Sequence, residues 1–351
     1  MSCFAAVGLL VAAFAGAQTT SQLPLSPIST QQSLQTAKLD DDESYRPKLK
    51  SPAYSENGPI VIVDEGHRNY RFTHGLARLL SADGYSVRPW KKPFTYGLLN
   101  SASVLVILNP GIFIAPARSV PSAPAITEQE AALIHDWIAG GGSLLLGGAS
   151  REDALPLSRR LGVEFASGHV VDPALLGSSA RTGDSNRNLS YIFSASLLAT
   201  HAIITGRSAD EQVKTVALEL VSRIEKTPAG ALILLHCSDQ ATIVRPDPLQ
   251  AQQMKQLKAA IAAGQNPDLH NIKIDAAPVP VSDAIPQAPV AIAFTIGKGR
   301  VVLLGDGMSL SAIASQMKVN DEIFKRNYGL TEADNQQFAL NIVHWLSGLL
   351  N

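Results

Sequence analysis

The sequence predicts a three-layer α/β domain: a doubly wound, mostly parallel sheet with helices on both faces and a C-terminal β-hairpin. Three observations predict it. Short unbroken apolar runs, IVIV at 60–63, VLVIL at 104–108 and SLLL at 143–146, are what strands buried on both faces look like. Between them lie amphipathic stretches with helix caps, and right-handed crossovers turn such an alternation into a covered parallel sheet. Finally, VAIAFTIGKGRVVLLGD at 290–306 reads as two strands joined at Gly297-Lys298-Gly299.

Each element follows from local chemistry. Ile60 to Val63 is the first buried strand. Thr73 can cap a helix whose Leu76, Leu79 and Leu80 share a face, and Gly84 closes it. Val104 to Leu108 is a second strand, followed by a loop with Pro110, Pro116, Pro121 and Pro124. Thr127 and Glu130 stand at capping-box spacing before a helix with Ile134, Trp137 and Ile138 on its inner face. Gly140 to Gly142 end it, and SLLLGG enters the next strand. The later half adds apolar segments at Ala202–Ile204, Val213–Leu220 and Ala231–Leu235. Residues 245–289 carry a helix-like stretch, LQAQQMKQLKAAIAAG, and a Pro-rich tail, and read as an insertion at one edge of the sheet. A helix-prone run is expected after Gly305–Ser309, and the last helix carries Phe338, Ile342 and Trp345.

With 351 residues, 46% hydrophobic and 17% charged, the chain can bury a sizeable core. A formal net charge of -1 and the lack of any Lys/Arg cluster exclude nucleic acid as a partner on electrostatic grounds. The first residues, MSCFAAVGLLVAAFAGAQTT, hold an apolar segment from Phe4 to Phe14 and then Ala15-Gly16-Ala17, a small-x-small signal. Residues 1–17 are therefore expected to be a signal peptide cleaved after Ala17, with no stable membrane insertion afterwards. That predicts an exported bacterial protein, periplasmic or secreted. Residues 18–58, rich in Ser, Thr, Gln and Pro, read as a disordered or extended linker, and the domain as 59–351. Cys237 would be the only cysteine of the mature chain, so an internal disulfide or CxxC site is excluded.

Ligands of open parallel sheets bind outside the carboxyl ends of the strands. Two such ends are polar here. VIVDEGHRNYRFTHG supplies Asp64, Glu65, His67, Asn69 and His74; GDGMSLS supplies Asp306 and Ser309. If the two strands are close, Asp64 and Asp306 share a crevice with His67 as acid or base. The structural alternative is that each aspartate caps its turn by accepting backbone N–H groups. The spacing Asp64-x-x-His67 lacks the fixed helical geometry that makes zinc motifs specific, and no metal or cofactor is expected. Ser150 follows a strand where a nucleophile elbow could sit, but Glu152 occupies the position of its second glycine. Cys237, beside His236 on one strand, points to the opposite face from it and reads as a buried, inert thiol.

IVIVDEGHRNY, ITEQEAALIHDWIAGGGSLLLGG, HAIITG, GKGRVVLLGDGMSLS and NQQFALNIVHWLSG, in this order, resemble bacterial exported proteins of unknown function with a class I glutamine amidotransferase-like domain. The same flavodoxin-like arrangement resembles ThuA-like proteins, GldG-type components and the GIFT domain of intraflagellar transport proteins. The resemblance implies an acid-and-histidine motif on Asp64, His67 and Asn69, a Gly-Asp loop on Gly305, Asp306 and Ser309, and a last-helix pattern on Asn335, Phe338, Asn341 and Trp345. Amidotransferases have a cysteine elbow, where this chain reads GGASRE, so glutamine hydrolysis is not expected. Two functions follow. The first is a non-catalytic module holding a small polar ligand, or a protein partner in the cell envelope, through Asp64, Glu65, His67, Asn69, Asp306, Ser309 and Asn335. The second is a hydrolase or lyase on a carbohydrate-like substrate, using His67 with Asp64 or Asp306.

Overall fold

The computed structural model describes residues 38–351 apart from 56, 70–71, 111–123, 151, 176–189, 220, 246–280 and 320–321. In chain order its first half comprises β1 (Lys38–Asp41), β2 (Ile60–Asp64), α1 (His74–Ala82), β3 (Ser86–Trp90), α2 (Tyr96–Leu99), β4 (Val104–Leu108), α3 (Glu128–Gly140), β5 (Ser143–Gly147) and α4 (Leu155–Arg160). The middle of the chain gives β6 (Glu164–Phe165), β7 (His169–Val171), β8 (Tyr191–Ser194), α5 (Ala202–Thr205), β9 (Thr215–Leu218), β10 (Ile224–Lys226), β11 (Leu232–His236) and β12 (Thr242–Arg245). Then follow β13 (Val281–Ala284), β14 (Pro289–Ile296), β15 (Gly299–Leu304), β16 (Ala312–Val319), β17 (Glu322–Gly329) and α6 (Asn335–Leu346).

Seven strands form the central sheet in the order β11-β14-β15-β5-β4-β2-β3. From β15 to β3 all neighbours are parallel, while β14 runs antiparallel to β15 and closes the hairpin. This is the predicted three-layer α/β fold with its C-terminal hairpin. Period-two alternation assigns the layers. Val61 and Val63 of β2 pack with Leu76, Leu79 and Leu80 of α1 and Phe338 and Ile342 of α6, whereas Ile62 packs with Ile134, Trp137 and Ile138 of α3. Full burial of each such side chain stabilises the fold by roughly 1.5–3 kcal/mol.

The capping box at α3 forms as predicted: Thr127 Oγ1 accepts from the Glu130 backbone N–H at 3.2 Å, and Glu130 Oε2 accepts from that of Thr127 at 3.2 Å. Gly84 closes α1 at φ +90°, a backbone state that other residues rarely adopt.

Three local expectations are corrected. Ala202–Thr205 is a single helical turn, started by His201 Nδ1, which accepts from the Ile203 N–H, and ended by Gly206 at φ +65°. The run after Ser309 is the strand pair β16 and β17, which forms a separate three-stranded sheet with β1. From the later apolar segments only β11 joins the central sheet; β9 pairs with β8 instead. Within residues 18–58, Lys38–Asp41 pairs with β16 and Tyr45 is buried. The expected signal peptide and the helix-like stretch of the insertion lie outside the described residues; β12 and β13, which flank that insertion, pair with each other and β12 with β7.

Candidate functional site

The carboxyl ends of β2 and β4 present the densest polar geometry in line with the sequence reading. Asp64 ends β2 and is fully buried. Its Oδ1 accepts from the Gly66 N–H at 3.0 Å and meets His67 Nδ1 at 2.8 Å; its Oδ2 accepts from Asn69 Nδ2 at 3.0 Å. One turn therefore gathers Asp64, His67 and Asn69, as the motif suggested. The partner on the other side of the imidazole is Glu130, whose Oε1 lies 3.2 Å from His67 Nε2. Phe94 stacks on the ring at a centroid distance of 4.9 Å.

The histidine side chain is 7% exposed and lies between two carboxylates. Burial on its own would lower its pKa, but the hydrogen bonds and charges of Asp64 and Glu130 outweigh burial and push it up to about 9. Glu130 responds in kind: burial favours its neutral form, yet His67 and the Thr127 hydroxyl and N–H hold it down at about 2. At neutral pH the arrangement is a buried imidazolium clamped by two carboxylates. Next to it, Arg68 adopts φ +60° and pairs with Asp153.

Asp306 does not join this group. Its Oδ1 accepts from the Met308 N–H at 2.8 Å and its Oδ2 from that of Glu219 at 3.0 Å. The expectation that it partners His67 is corrected: β5 and β4 stand between β15 and β2, and three strand spacings amount to roughly 14 Å. Glu65 is buried and reaches Lys91 at 3.5 Å and His74 at 3.6 Å. Asn335, at the start of α6, directs its amide to backbone: Oδ1 to Ala217 N, and Nδ2 to the carbonyls of Ala217, Gly329 and Ser309. It ties α6 to β9 and β17.

Along the same edge, four buried side-chain atoms lack a hydrogen-bond partner: Arg68 Nε, Asn69 Oδ1, Asn109 Nδ2 and Ser309 Oγ. Each such group costs about 1–3 kcal/mol when left unsatisfied. Asn109, directly after β4, adopts φ +47°, so two strand-end residues on neighbouring strands hold left-handed backbone. Gly147 and Gly307 allow this edge to close. A Cβ on Gly147 would lie 2.8 Å from the Gly307 Cα, and one on Gly307 would lie 2.8 Å from Asn109 Oδ1.

Sequence reasoning gives Glu130 only as a capping residue and names neither Asn109 nor a second cluster beyond Asp306. In that cluster Arg326 bonds Glu219 at 2.7 Å and Glu332 at 2.5 Å, with Ser190 beside both carboxylates. Burial drives Glu219 up to about 7, although Arg326 and Ser190 pull the other way, and the neighbouring Glu332 charge adds to the rise. A cleft of about 520 Å³ opens at the opposite, amino end of the sheet, bordered by Tyr96, Ser103, Trp137, Gly141, Lys298 and Arg300. Arg300 there donates to the Trp345 and Leu350 carbonyls and so serves the end of α6.

Amidotransferase chemistry by a cysteine nucleophile has no support. At the end of β5 stand Gly147-Gly148-Ala149-Ser150, and Ser150 Oγ donates to the Gly305 carbonyl at 3.0 Å. Cys237 is buried beyond β11, and burial pushes its thiol up to about 12. Among the described residues no group of three or more His, Cys, Asp and Glu side chains is arranged to hold a metal ion, and no helix is long and apolar enough to cross a membrane.

No protein-family model matches the chain, and no curated protein matches it. Several solved structures are remotely similar. The N-terminal domain of mmIFT52 has a TM-score of 0.49 at 13% identity, covering 82% of this chain and 97% of its own. A ThuA-like protein from Bacteroides uniformis has a TM-score of 0.42 at 12% identity, covering 86% and 94%. A cytoplasmic protein of Salmonella typhimurium has a TM-score of 0.42 at 11% identity, covering 82% and 98%, and a second cytoplasmic protein of that species is also similar. These structures belong to proteins of varied kinds. The expectation of export is corrected here: these cytoplasmic proteins conflict with a periplasmic or secreted assignment, and nothing in the fold itself marks a compartment.

Proposed function

We propose that this chain is a hydrolase or lyase of carbohydrate-like substrates, working by acid–base chemistry at the carboxyl edge of β2. The observation that carries this reading is the imidazolium of His67 held between Asp64 and Glu130. A residue needed only for capping has no use for a second carboxylate on its far nitrogen, and perturbed protonation at a strand-end edge is characteristic of reactive sites. Asp64 orients the ring through Nδ1. A substrate oxygen that takes the place of Glu130 Oε1 at Nε2 receives the proton there, and the displaced Glu130 carboxylate is the adjacent base.

The test is turnover of a panel of chromogenic glycosides and unmodified sugars by the wild type, His67→Gln and Glu130→Gln, with folding checked by circular dichroism. The reading expects a wild-type activity that drops roughly 10²–10⁴-fold in His67→Gln. In Glu130→Gln it expects an altered pH profile with the fold retained. Equal rates in wild type and His67→Gln would overturn it.

A further inference from the structure

Beside Arg68 Nε, three buried atoms of neutral side chains on the same edge have no partner, and their chemistry says what they would accept. Asn69, Asn109 and Ser309 are 0%, 2% and 1% exposed. They adjoin one another. Asn69 Nδ2 donates to the carbonyl of Leu108, the residue before Asn109, at 2.8 Å. The Asn109 amide lies against Gly307, two residues before Ser309. The unfilled atoms are an acceptor (Asn69 Oδ1), a donor (Asn109 Nδ2) and a hydroxyl that can do either (Ser309 Oγ).

We propose that Asn69, Asn109 and Ser309 form a recognition subsite for an uncharged, hydroxyl-bearing ligand, enclosed between the ends of β2, β4 and β15. Hydroxyls both donate and accept, which is what a mixed set requires. An anion is excluded by the setting. The carboxylates of Asp64 and Asp306 flank the row, while the charge of Arg68, whose Nε has no partner, is balanced through Nη2 by Asp153 and that of Arg326 by Glu219 and Glu332. A metal cation fares no better, since among the described residues no group of three or more His, Cys, Asp and Glu side chains is arranged to hold one. Depth points the same way: enclosing a neutral ligand this far from water costs far less than enclosing an ion.

The proposal rests on the strand-end edge being the functional one, and it names the substrate class and adds Asn109 to the set. Its test uses the full chain with glucose, myo-inositol and inorganic phosphate as probes, followed by calorimetry and thermal shift, on the wild type, Ser309→Ala and Asn109→Gly. Glycine keeps the left-handed backbone, so the second variant removes only the amide. The expected result is a rise in melting temperature with a sugar or inositol but not with phosphate. Binding should weaken at least tenfold in both variants, while unliganded Ser309→Ala is at least as stable as the wild type, because the substitution removes an unsatisfied hydroxyl and leaves no partner behind. A wild type that responds to no polyol, or a Ser309→Ala that is destabilised without ligand as expected if the serine anchors an internal water, would overturn it. Failure here is separable from failure of the catalytic reading. Polyol binding without turnover removes only the acid–base chemistry; turnover with KM unchanged in both variants removes only this subsite.

Discussion

Replacing His67 with glutamine probes the clamped imidazolium directly, because it removes the charge while keeping a side chain of similar reach. Raising a histidine from its ordinary 6.5 to about 9 corresponds to about 3 kcal/mol of folding stability, at about 1.4 kcal/mol per pH unit. The sign follows from proton binding. The folded state holds the proton more tightly than the unfolded chain, so the stabilisation is complete below pH 6.5 and is lost as pH rises through 9. His67→Gln should therefore cost about 3 kcal/mol at pH 6, in the range for breaking a buried ion pair, and progressively less toward pH 10. What remains at high pH is the lost stacking on Phe94. Urea unfolding of both proteins from pH 6 to 10 measures the difference, in which titrations common to both cancel, and an NMR titration of the imidazole gives its pKa directly. A difference that stays constant across this range, or a ring that titrates near 6.5, would refute the reasoning.

Other parts of the molecule give independent outcomes. Glu219 is raised to about 7 in the fold, so its contribution is lost as pH climbs from the ordinary carboxylate range through 7; Glu219→Gln should be more stable than wild type at pH 8 and flatten that part of the stability profile. A wild type that stays more stable than this variant at pH 8 would show that the Arg326 attraction wins. Cys237 should resist a thiol reagent in native protein at pH 8 and react fully in guanidinium, since burial holds the thiol up at about 12; rapid native labelling would place it at the surface. Gly75→Ala should destabilise by roughly 1–3 kcal/mol. Its Cβ would sit 2.5 Å from that of Ala312, and an unchanged urea midpoint would mean that β16 does not pack on α1 as described.

The layers were legible because burial on two faces leaves a mark on the chain: β2, β4 and β5 are unbroken apolar runs, and the helices between them carry apolar stripes and caps. The edge strand β3, SVRPW, escaped notice since an edge tolerates Arg88 and Pro89, which break the apolar run. In β16 and β17, Gln316, Ile323, Lys325 and Asn327 are exposed, and these strands lack the unbroken apolar runs of the central sheet. Half of the site was legible, because Asp64, His67 and Asn69 are brought together by one turn. Glu130 was visible only as a capping residue: its second oxygen serves the cap and its first reaches His67, 63 positions away. The carboxylates around Arg326 are likewise joined only by the fold, with 107 positions between Arg326 and Glu219. Pairing Asp64 with Asp306 failed for a different reason, since each aspartate spends its oxygens on groups of its own surroundings, Asp306 on the Met308 and Glu219 N–H groups.

Ligands are proposed to bind at the carboxyl ends of β2, β4 and β15 and not at the cleft on the opposite end of the sheet. Mapping the amide and side-chain NMR shifts of the isotope-labelled protein during a glucose titration separates the two. The predicted result is that the perturbed signals are those of His67, Asn69, Asn109 and Ser309, moving together along one binding curve. Perturbation centred instead on Ser103, Gly141 and Lys298 would contradict the assignment of the functional edge.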